Sequence, residues 1–176
     1  MSFNYWVLAA GTLFIILFSW FLSIRHKRYH GIARFFSFES VFLLTLLNYR
    51  IWFRDPLSPI QILSWIFLIL SAWIVIAGYL TLTRKGKPDA NFENTSVLVK
   101  SGIYRYIRHP LYLSLILFGT GVLMKKPGSM QIFLGLLNIF AVYVTALIEE
   151  HEMIAKFGDG YRNYMKESNM FIPCLL

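Results

Sequence analysis

A histidine, two arginines and three tyrosines stand at the edge of a long apolar run in the stretch SGIYRYIRHPLYLSL, residues 101–115. Proline is tolerated in the first turn of a helix, because its missing N–H would have no partner there, and it disfavours helical geometry in the residue before it. The pair His109-Pro110 is therefore predicted to begin a helix, with His109 in the cap position. The free N–H groups and positive dipole end of such a helix suit a carboxylate or another anion.

A second group of chemically active residues follows a later apolar run, in the stretch ALIEEHEMIAKF. Carboxylates beside a membrane-length apolar segment are costly unless they are hydrated or partnered, so Glu149 and Glu150 are candidate functional residues. On a continuing helix Glu152 shares a side with Glu149, whereas Glu150 points about 100° away. Glu152, Asp159 and Glu167 are predicted to be solvated residues of an amphipathic tail.

The elements that carry both groups are predicted to be membrane-spanning helices. The 176 residues are 57% hydrophobic and only 15% charged, whereas about a quarter of the residues of a soluble domain are charged. A fold that is all-α and polytopic follows, with about five spans at residues 3–23, 38–53, 60–83, 111–124 and 132–148. The last two form a hairpin, so His109 and Glu149 are expected at the same membrane face, in one pocket.

Two features near the ends of the chain help to decide which class of protein this is. The first span is predicted to be retained, because it has no basic leader, is too long for a signal core and lacks a convincing cleavage site. Cys174 is the only cysteine, so neither an intramolecular disulfide nor a cysteine-based metal site is expected, and no metal site is predicted. It also lies one residue too close to the end for a prenylation motif.

The lysines and arginines orient the chain. By the excess of basic residues in cytoplasmic loops, the amino terminus is predicted to lie outside, with the loops after spans one and three and the carboxyl tail in the cytoplasm. The net charge of +8 then favours anionic lipid headgroups as partners, and nucleic-acid binding is disfavoured because no basic stripe stands apart from the membrane boundary. The predicted cytoplasmic set is Arg25, Lys27, Arg28, Arg34, Arg84, Lys85, Lys87, Lys100, Arg105, Arg108, Lys156, Arg162 and Lys166; the opposite set is Arg54, Lys125 and Lys126.

The sequence LVKSGIYRYIRHPLYLS, followed by a hairpin and EEHEMIAKFGDGYRNYMKESNMFIP, resembles the isoprenylcysteine carboxyl methyltransferase family of integral membrane enzymes, which is related to the phospholipid methyltransferases. The resemblance covers roughly residues 96 to 173, and the first three spans match only as hydrophobic segments. It implies a division into N-terminal helices with their loop, 1–95, and a methyltransferase core, 96–176.

The resemblance implies a pocket for S-adenosylmethionine at the cytoplasmic face, built without a Rossmann sheet. His109 and the helix mouth would hold the methionine carboxylate, Glu149 the amino group or ribose hydroxyls, and aromatic faces the sulfonium. The residues that it assigns to the cofactor are Ser96, Val97, Leu98, Val99, Tyr104, His109, Pro110, Leu111, Tyr112, Glu149 and Glu150.

The methyl acceptor is predicted to be a lipophilic or amphiphilic molecule that enters from the bilayer, with a carboxylate, phenol, thiol or amine as acceptor group. Arg108 is predicted to be catalytic on the acceptor side, pointing away from the imidazole and orienting a carboxylate through two parallel hydrogen bonds. Thr145 stands where prenylcysteine enzymes have a substrate-binding arginine, which counts against a prenylcysteine carboxylate.

Other interpretations remain open from the sequence. Arg105 and Arg108 have the positions of headgroup anchors, and Tyr104, Tyr106 and Tyr112 those of an aromatic belt. Sterol-reductase-like enzymes that use NADPH share an RHP-x-Y element and a late FG motif, although they need more spans. A non-enzymatic membrane scaffold would require the loop and the glutamates to be mere surface.

Overall fold

The computed structural model of the protein describes residues 5–26, 28–87 and 95–172. These residues form α-helices and short 3₁₀ turns, with no strand among them beyond an isolated bridge, so the all-α prediction is confirmed. Lys27 and Cys174, which enter the sequence predictions, lie outside the described residues. The helices are α1 (Tyr5–Leu22), α2 (His30–Asn48), α3 (Pro59–Lys85), α4 (Pro110–Lys125), α5 (Ser129–Phe157) and α6 (Asp159–Glu167).

Four of these helices, α1, α2, α3 and α5, are long and apolar enough to cross a membrane. Helix α4 is apolar but has only 16 residues, slightly fewer than the roughly 17 to 25 that a full crossing requires. The predicted five spans therefore correspond to four long helices and one shorter apolar helix. These lengths and compositions are those of a multi-pass membrane protein.

Two helices extend beyond their predicted bounds. Helix α2 begins at His30 instead of residue 38. The polar residues His30, Arg34 and Ser37 interrupt the apolar run, so hydropathy misses these turns, but the three side chains are buried against the rest of the bundle. Helix α5 continues to Phe157 instead of ending at residue 148, so the glutamates lie on its last turns. Hydropathy marks the apolar core of a helix and misses the turns whose polar groups are satisfied by other helices.

Side-chain hydrogen bonds to backbone carbonyls join α3 to α4. Ser64 Oγ donates to the Gly121 carbonyl (2.7 Å), and Ser71 Oγ donates to the Ser114 carbonyl (2.8 Å). A Cβ on Gly121 would lie 2.9 Å from Leu68 Cγ, so only glycine permits the observed approach. Small residues and interhelical hydrogen bonds commonly drive the association of helices in lipid. Lipid tails are as apolar as the helix surfaces, so the hydrophobic effect does not drive one helix against another there.

Polar pairs also join α2 to α5. His30 Nδ1 lies 2.9 Å from Glu152 Oε2, and Ser37 Oγ donates to Asn138 Oδ1 (2.6 Å). The start of α2 therefore meets the end of α5, and the two helices run antiparallel. Asn138 continues the network by donating to the Leu115 carbonyl of α4 (3.0 Å).

The segment that follows α6 pairs with the segment that precedes α4. Asn169 N–H donates to the Tyr106 carbonyl (3.1 Å), and Arg108 N–H donates to the Asn169 carbonyl (2.8 Å). His109 N–H then donates to the Met170 carbonyl (3.2 Å). This pairing holds the backbone of the Arg-His pair in place directly before α4.

Candidate functional site

A cavity of about 260 Å³ lies at the end of the bundle where α2 begins and α5 ends. All six helices and the segment 95–109 contribute to its wall. Most of the residues predicted to form the site line it: Leu98, Val99, Tyr104, Arg108, His109, Pro110, Leu111, Tyr112 and Glu149.

Three residues predicted to contact a cofactor do not line the cavity. Ser96 is exposed, and its hydroxyl donates to the Lys87 carbonyl (2.7 Å). Val97 is also exposed. Glu150 is buried behind Arg108 and His109.

His109 is the cap residue of α4, as its position before proline predicts. Its ring stacks on that of Tyr112, with centroids 5.5 Å apart and planes 14° from parallel. Nδ1 lies 3.7 Å from Glu149 Oε2, and Nε2 lies 3.3 Å from Glu150 Oε1. The imidazole therefore stands between the paired glutamates, with the Nδ1 edge on the side of the carboxylate that lines the cavity.

Glu149 is surrounded by groups that stabilise its negative charge. Besides the His109 ring, Arg28 Nη2 lies 3.5 Å from Glu149 Oε1, and the Tyr112 side chain forms a hydrogen bond with the carboxylate. These partners come from the segment before α2, from the cap of α4 and from α4 itself. They fix a carboxylate in the cavity wall, where it can accept hydrogen bonds from an amine or from hydroxyls.

Arg108 links α5 to the end of α6. Nε donates to Glu150 Oε1 (2.7 Å), and Nη1 donates to the carbonyls of Met165 and Ser168. The sequence predicted a guanidinium pointing away from the imidazole, and this was wrong, because Arg108 and His109 both contact the same oxygen of Glu150. Both residues are held by backbone pairing to the segment after α6, which no local pattern reveals.

Glu152 was also predicted wrongly, as a solvated residue. It accepts hydrogen bonds from His30 Nδ1 (2.9 Å) and Arg28 Nε (3.2 Å), so it anchors the start of α2 to α5. Asp159 and Glu167 are exposed, as predicted.

Three tyrosines form an aromatic wall on the α6 side of the cavity: Tyr104, Tyr161 and Tyr164. Burial raises the pKa of Tyr164 to about 12, and burial together with the nearby Glu149 charge raises the pKa values of Tyr104 and Tyr161. Their hydroxyls are therefore protonated at neutral pH. Neutral tyrosine rings can attract a cation through their faces.

Residues of the first three helices complete the cavity, although no sequence motif assigns them a role there. Phe18 of α1, Arg34 and Phe38 of α2, and Tyr79 of α3 all line it. In the sequence, Arg28 and Arg34 contribute only to the basic-residue pattern that predicts the orientation of the chain. A usable signal was present, since His30, Arg34 and Ser37 recur at helical spacing and therefore share one face of α2.

Among the residues that the structure describes, no group of three or more His, Cys, Asp or Glu side chains is arranged to hold a metal ion. The polar side chains of the cavity wall include carboxylate, imidazole, guanidinium and phenol groups.

Comparison with known proteins places the chain in a family. A model of the phospholipid methyltransferase family matches residues 60–160, more than half of the chain. This chain belongs to the phospholipid methyltransferase family. The match covers α3, α4 and α5 and thus includes both His109 and Glu149.

Curated relatives in the wider family carry methyltransferase names. The chain is 35% identical over 82 residues to the protein-S-isoprenylcysteine O-methyltransferase of Schizosaccharomyces pombe, a match covering 45% of this chain and 34% of the relative. It is 30% identical over 92 residues to the methanethiol S-methyltransferase of Mycobacterium tuberculosis (52% and 35%). With the methanethiol S-methyltransferase of Pseudomonas deceptionensis it shares 24% identity over 142 residues (73% and 52%).

These matches confirm the resemblance drawn from the sequence motifs. The matched part of the chain spans from about a third to about half of the length of these relatives. No solved structure gives a significant match.

Proposed function

We propose that this member of the family is an integral membrane methyltransferase that transfers a methyl group from S-adenosylmethionine to a lipophilic acceptor. The observation that carries the proposal is the meeting of His109 and Glu149 in one cavity wall, with Nδ1 and Oε2 3.7 Å apart. These residues are far apart in the sequence, and each belongs to a motif that the family resemblance assigns to the cofactor.

The chemical groups of the cavity wall fit the cofactor. Glu149 is a partly buried acceptor for the amino group or ribose hydroxyls, while the amino end of α4, which begins after His109, suits the methionine carboxylate. The faces of Tyr104, Tyr161 and Tyr164 suit a sulfonium cation, because their rings are neutral. When bound, S-adenosylmethionine supplies an electrophilic methyl group.

Arg108 and Glu150 act as positioning residues in this proposal. Their ion pair and the bonds of Arg108 to the end of α6 hold the imidazole on one side and the tyrosine wall on the other. Methyl transfer requires the acceptor atom to be aligned with the methyl carbon, inside a site that excludes water. A rigid cross-link between α5 and α6 maintains that alignment.

The apolar part of the cavity wall favours a lipophilic acceptor. It includes Phe18, Phe38, Val75 and Leu115, all of which belong to apolar helices. An amphiphile can enter such a cavity sideways from the bilayer. The curated relatives are named for methanethiol and isoprenylcysteine acceptors, which supports the proposal of an acceptor that partitions into lipid.

The test is methyl transfer by the purified protein in proteoliposomes. Tritium-labelled S-adenosylmethionine is supplied with a long-chain carboxylic acid, thiol, phenol or amine, and label is counted in the organic extract. We expect label to enter the organic phase with at least one acceptor, and the Glu149→Gln variant to transfer it at least about tenfold more slowly, the effect of losing one charged hydrogen bond. Absence of transfer to every acceptor class by folded wild-type protein would overturn the proposal.

A further inference from the structure

We infer that Arg28, in the segment that joins α1 to α2, positions Glu149 for the cofactor, an inference that rests on the proposed methyltransferase function. Glu152 and His30 hold Arg28 for this role. Arg28 lies outside residues 60–160, which the family model matches, and it is not among the residues that the family resemblance assigns to the cofactor. The connection between the first two helices thereby becomes a support of the cofactor site.

Three carboxylates lie within about one turn of α5: Glu149, Glu150 and Glu152. Like charges at this spacing repel one another, so the position of each carboxylate depends on the cation that pairs with it. Glu150 Oε1 lies 2.7 Å from Arg108 Nε. Arg28 is the arginine that pairs with Glu149, with Nη2 3.5 Å from Oε1. The two neighbouring carboxylates are thus held by arginines from different parts of the chain.

The guanidinium of Arg28 is shared between two of these carboxylates. Nε donates to Glu152 Oε2 (3.2 Å), while Nη2 is the nitrogen near Glu149 Oε1. A guanidinium is planar and rigid, so the bond at Nε fixes the direction in which the Nη2 edge points. Glu152 therefore determines the side from which positive charge reaches Glu149.

Both the side chain and the backbone of Arg28 are tied down. His30 is buried, and its Nδ1 lies 2.9 Å from the same Glu152 oxygen that accepts from Arg28. The Arg28 N–H donates to the Ser23 carbonyl (3.0 Å), and the Gly31 N–H donates to the Arg28 carbonyl (3.3 Å). A residue that positions another must itself be fixed, and these contacts meet that requirement.

The burial of the pair strengthens its effect. The side chains of Arg28 and Glu149 are only 13% and 19% exposed, so water and salt screen their attraction less than they would at the surface. Without Arg28, the nearest cationic partner of Glu149 is His109, whose Nδ1 lies 3.7 Å from Oε2. We expect the carboxylate then to shift towards the imidazole, which weakens its bond to an amine or hydroxyl of the cofactor.

The test is a double-mutant cycle on the Kd of S-adenosylhomocysteine, with wild type, Arg28→Gln, Glu149→Gln and the double variant in detergent. Calorimetry measures the Kd, and competition with labelled S-adenosylmethionine extends the range to weak binding. We expect Arg28→Gln to raise the Kd about fivefold or more in the wild-type background but less than about twofold in the Glu149→Gln background, because Arg28 acts through that carboxylate.

A merely structural role of Arg28 gives a different result, because loss of packing or stability does not depend on the charge at position 149. An equal rise in both backgrounds would overturn the inference, and so would an unchanged Kd in the wild-type background. If Arg28→Gln does not fold, Arg28→Lys carries the same cycle, since an ammonium keeps the charge but cannot span both carboxylates.

Matched variants complete the design. Arg25→Gln removes an exposed arginine from the same connection and should leave the Kd unchanged. Glu152→Gln removes the anchor of Arg28, so it should raise the Kd in the wild-type background and have little effect once Arg28 is already glutamine. Additive effects of these two changes would show that Glu152 does not act through Arg28.

The two proposals fail separately. Wild-type protein that binds no S-adenosylhomocysteine contradicts the methyltransferase proposal itself. Wild-type protein that binds it, with an effect of Arg28→Gln that persists undiminished in the Glu149→Gln background, contradicts only the positioning role of Arg28.

Discussion

Glu149 takes its partners from three separate parts of the chain: Arg28 before α2, His109 at the cap of α4 and Tyr112 within α4. The arginine carries a positive charge, the histidine can carry one, and the tyrosine can donate a hydrogen bond. The carboxylate can therefore act as an acceptor although it faces a mostly apolar cavity. A ligand amine or hydroxyl that reaches this carboxylate gains a charge-assisted hydrogen bond.

Glu149→Gln and His109→Ala are each expected to weaken S-adenosylhomocysteine binding by about tenfold or more, since a hydrogen bond to a charged group contributes about 1.5–3 kcal/mol. Calorimetric titration measures the affinity, and circular dichroism checks that helicity is retained. Glu167→Gln is the matched control, because Glu167 is exposed on α6. Wild-type affinity in both site variants would remove them from the cofactor site.

Arg108→Lys is expected to lower both the stability of the protein and its affinity for S-adenosylhomocysteine. A lysine cannot hold Glu150 and the carbonyls of Met165 and Ser168 together, so α6 and its tyrosines should loosen, at a cost of roughly 1–3 kcal/mol. Thermal unfolding in detergent and calorimetry measure the two effects, with the exposed Arg162→Lys as control. A variant with normal affinity and stability but no turnover would instead favour the direct acceptor role that the sequence predicted.

At this scale the sequence predicted residue types better than directions. Most of the site residues that the two motifs predict do line the cavity, because helix-start chemistry at His109-Pro110 and costly carboxylates at Glu149 are local signals. Which way Arg108 points and whether Glu152 is solvated depend on α6 and α2, and no local pattern contains those contacts.

Helix α3 packs against helix α4 along its length, including the start of α4 next to the cap residue His109. Their close approach at Gly121 brings the Ser64 hydroxyl to its carbonyl, and Gly78 of α3 lies against Pro110 and Leu111 at the start of α4. The register between these helices therefore sets the position of His109 relative to the cavity.

Gly121→Ala is expected to destabilise the protein by about 1–3 kcal/mol, because the new methyl group would lie 2.9 Å from Leu68 Cγ and 3.1 Å from the Ser64 carbonyl oxygen. Gly160→Ala in α6 is the matched control, since a Cβ there meets nothing within 4 Å. Thermal unfolding in detergent compares the two variants. Equal stability of both would show that the α3–α4 contact does not depend on glycine.

Hydropathy located the helices but not their ends. The start of α2 and the end of α5 carry charged residues that satisfy one another across the bundle, as in the pair His30 and Glu152. A window average counts each such residue as a break. The missed turns are the ones that line or support the cavity, because those turns have partners that permit buried charge.

At the scale of the whole molecule, the ends of α1, α3 and α5 and the start of α2 lie together at the cavity end of the bundle. Contacts such as Arg28 with Glu149 and Lys85 with Ser101 join segments that hydropathy places on one side of the membrane. The excess of basic residues there predicts that this end is cytoplasmic.

In a Cys174→Ser background, Arg84→Cys at the cavity end and Lys126→Cys at the opposite end are expected to react from opposite sides of the membrane. Both native residues are exposed, so accessibility should not limit labelling. A membrane-impermeant maleimide added to intact spheroplasts should label position 126 and spare position 84 until the cells are lysed. Labelling of position 84 alone in intact cells would reverse the orientation, and equal labelling of both would contradict the predicted spans.

The full extent of the cavity could not be predicted from residues 96–173 alone, the region that carries the family resemblance. The motifs after residue 96 identified only part of the wall, whereas Phe18, Arg34 and Phe38 come from helices that resemble the family only as apolar segments. Assembly of the cavity depends on contacts between distant segments, such as the pairing of Asn169 with Tyr106 and Arg108. A single sequence carries no periodic signal for such contacts.

The most direct test of the account is a calorimetric titration of the purified protein with S-adenosylhomocysteine and, separately, with NADPH. We predict saturable binding of S-adenosylhomocysteine at one site, weakened about tenfold or more by Glu149→Gln, and no binding of NADPH. Binding of NADPH without S-adenosylhomocysteine, or binding of neither by folded protein, would contradict the account.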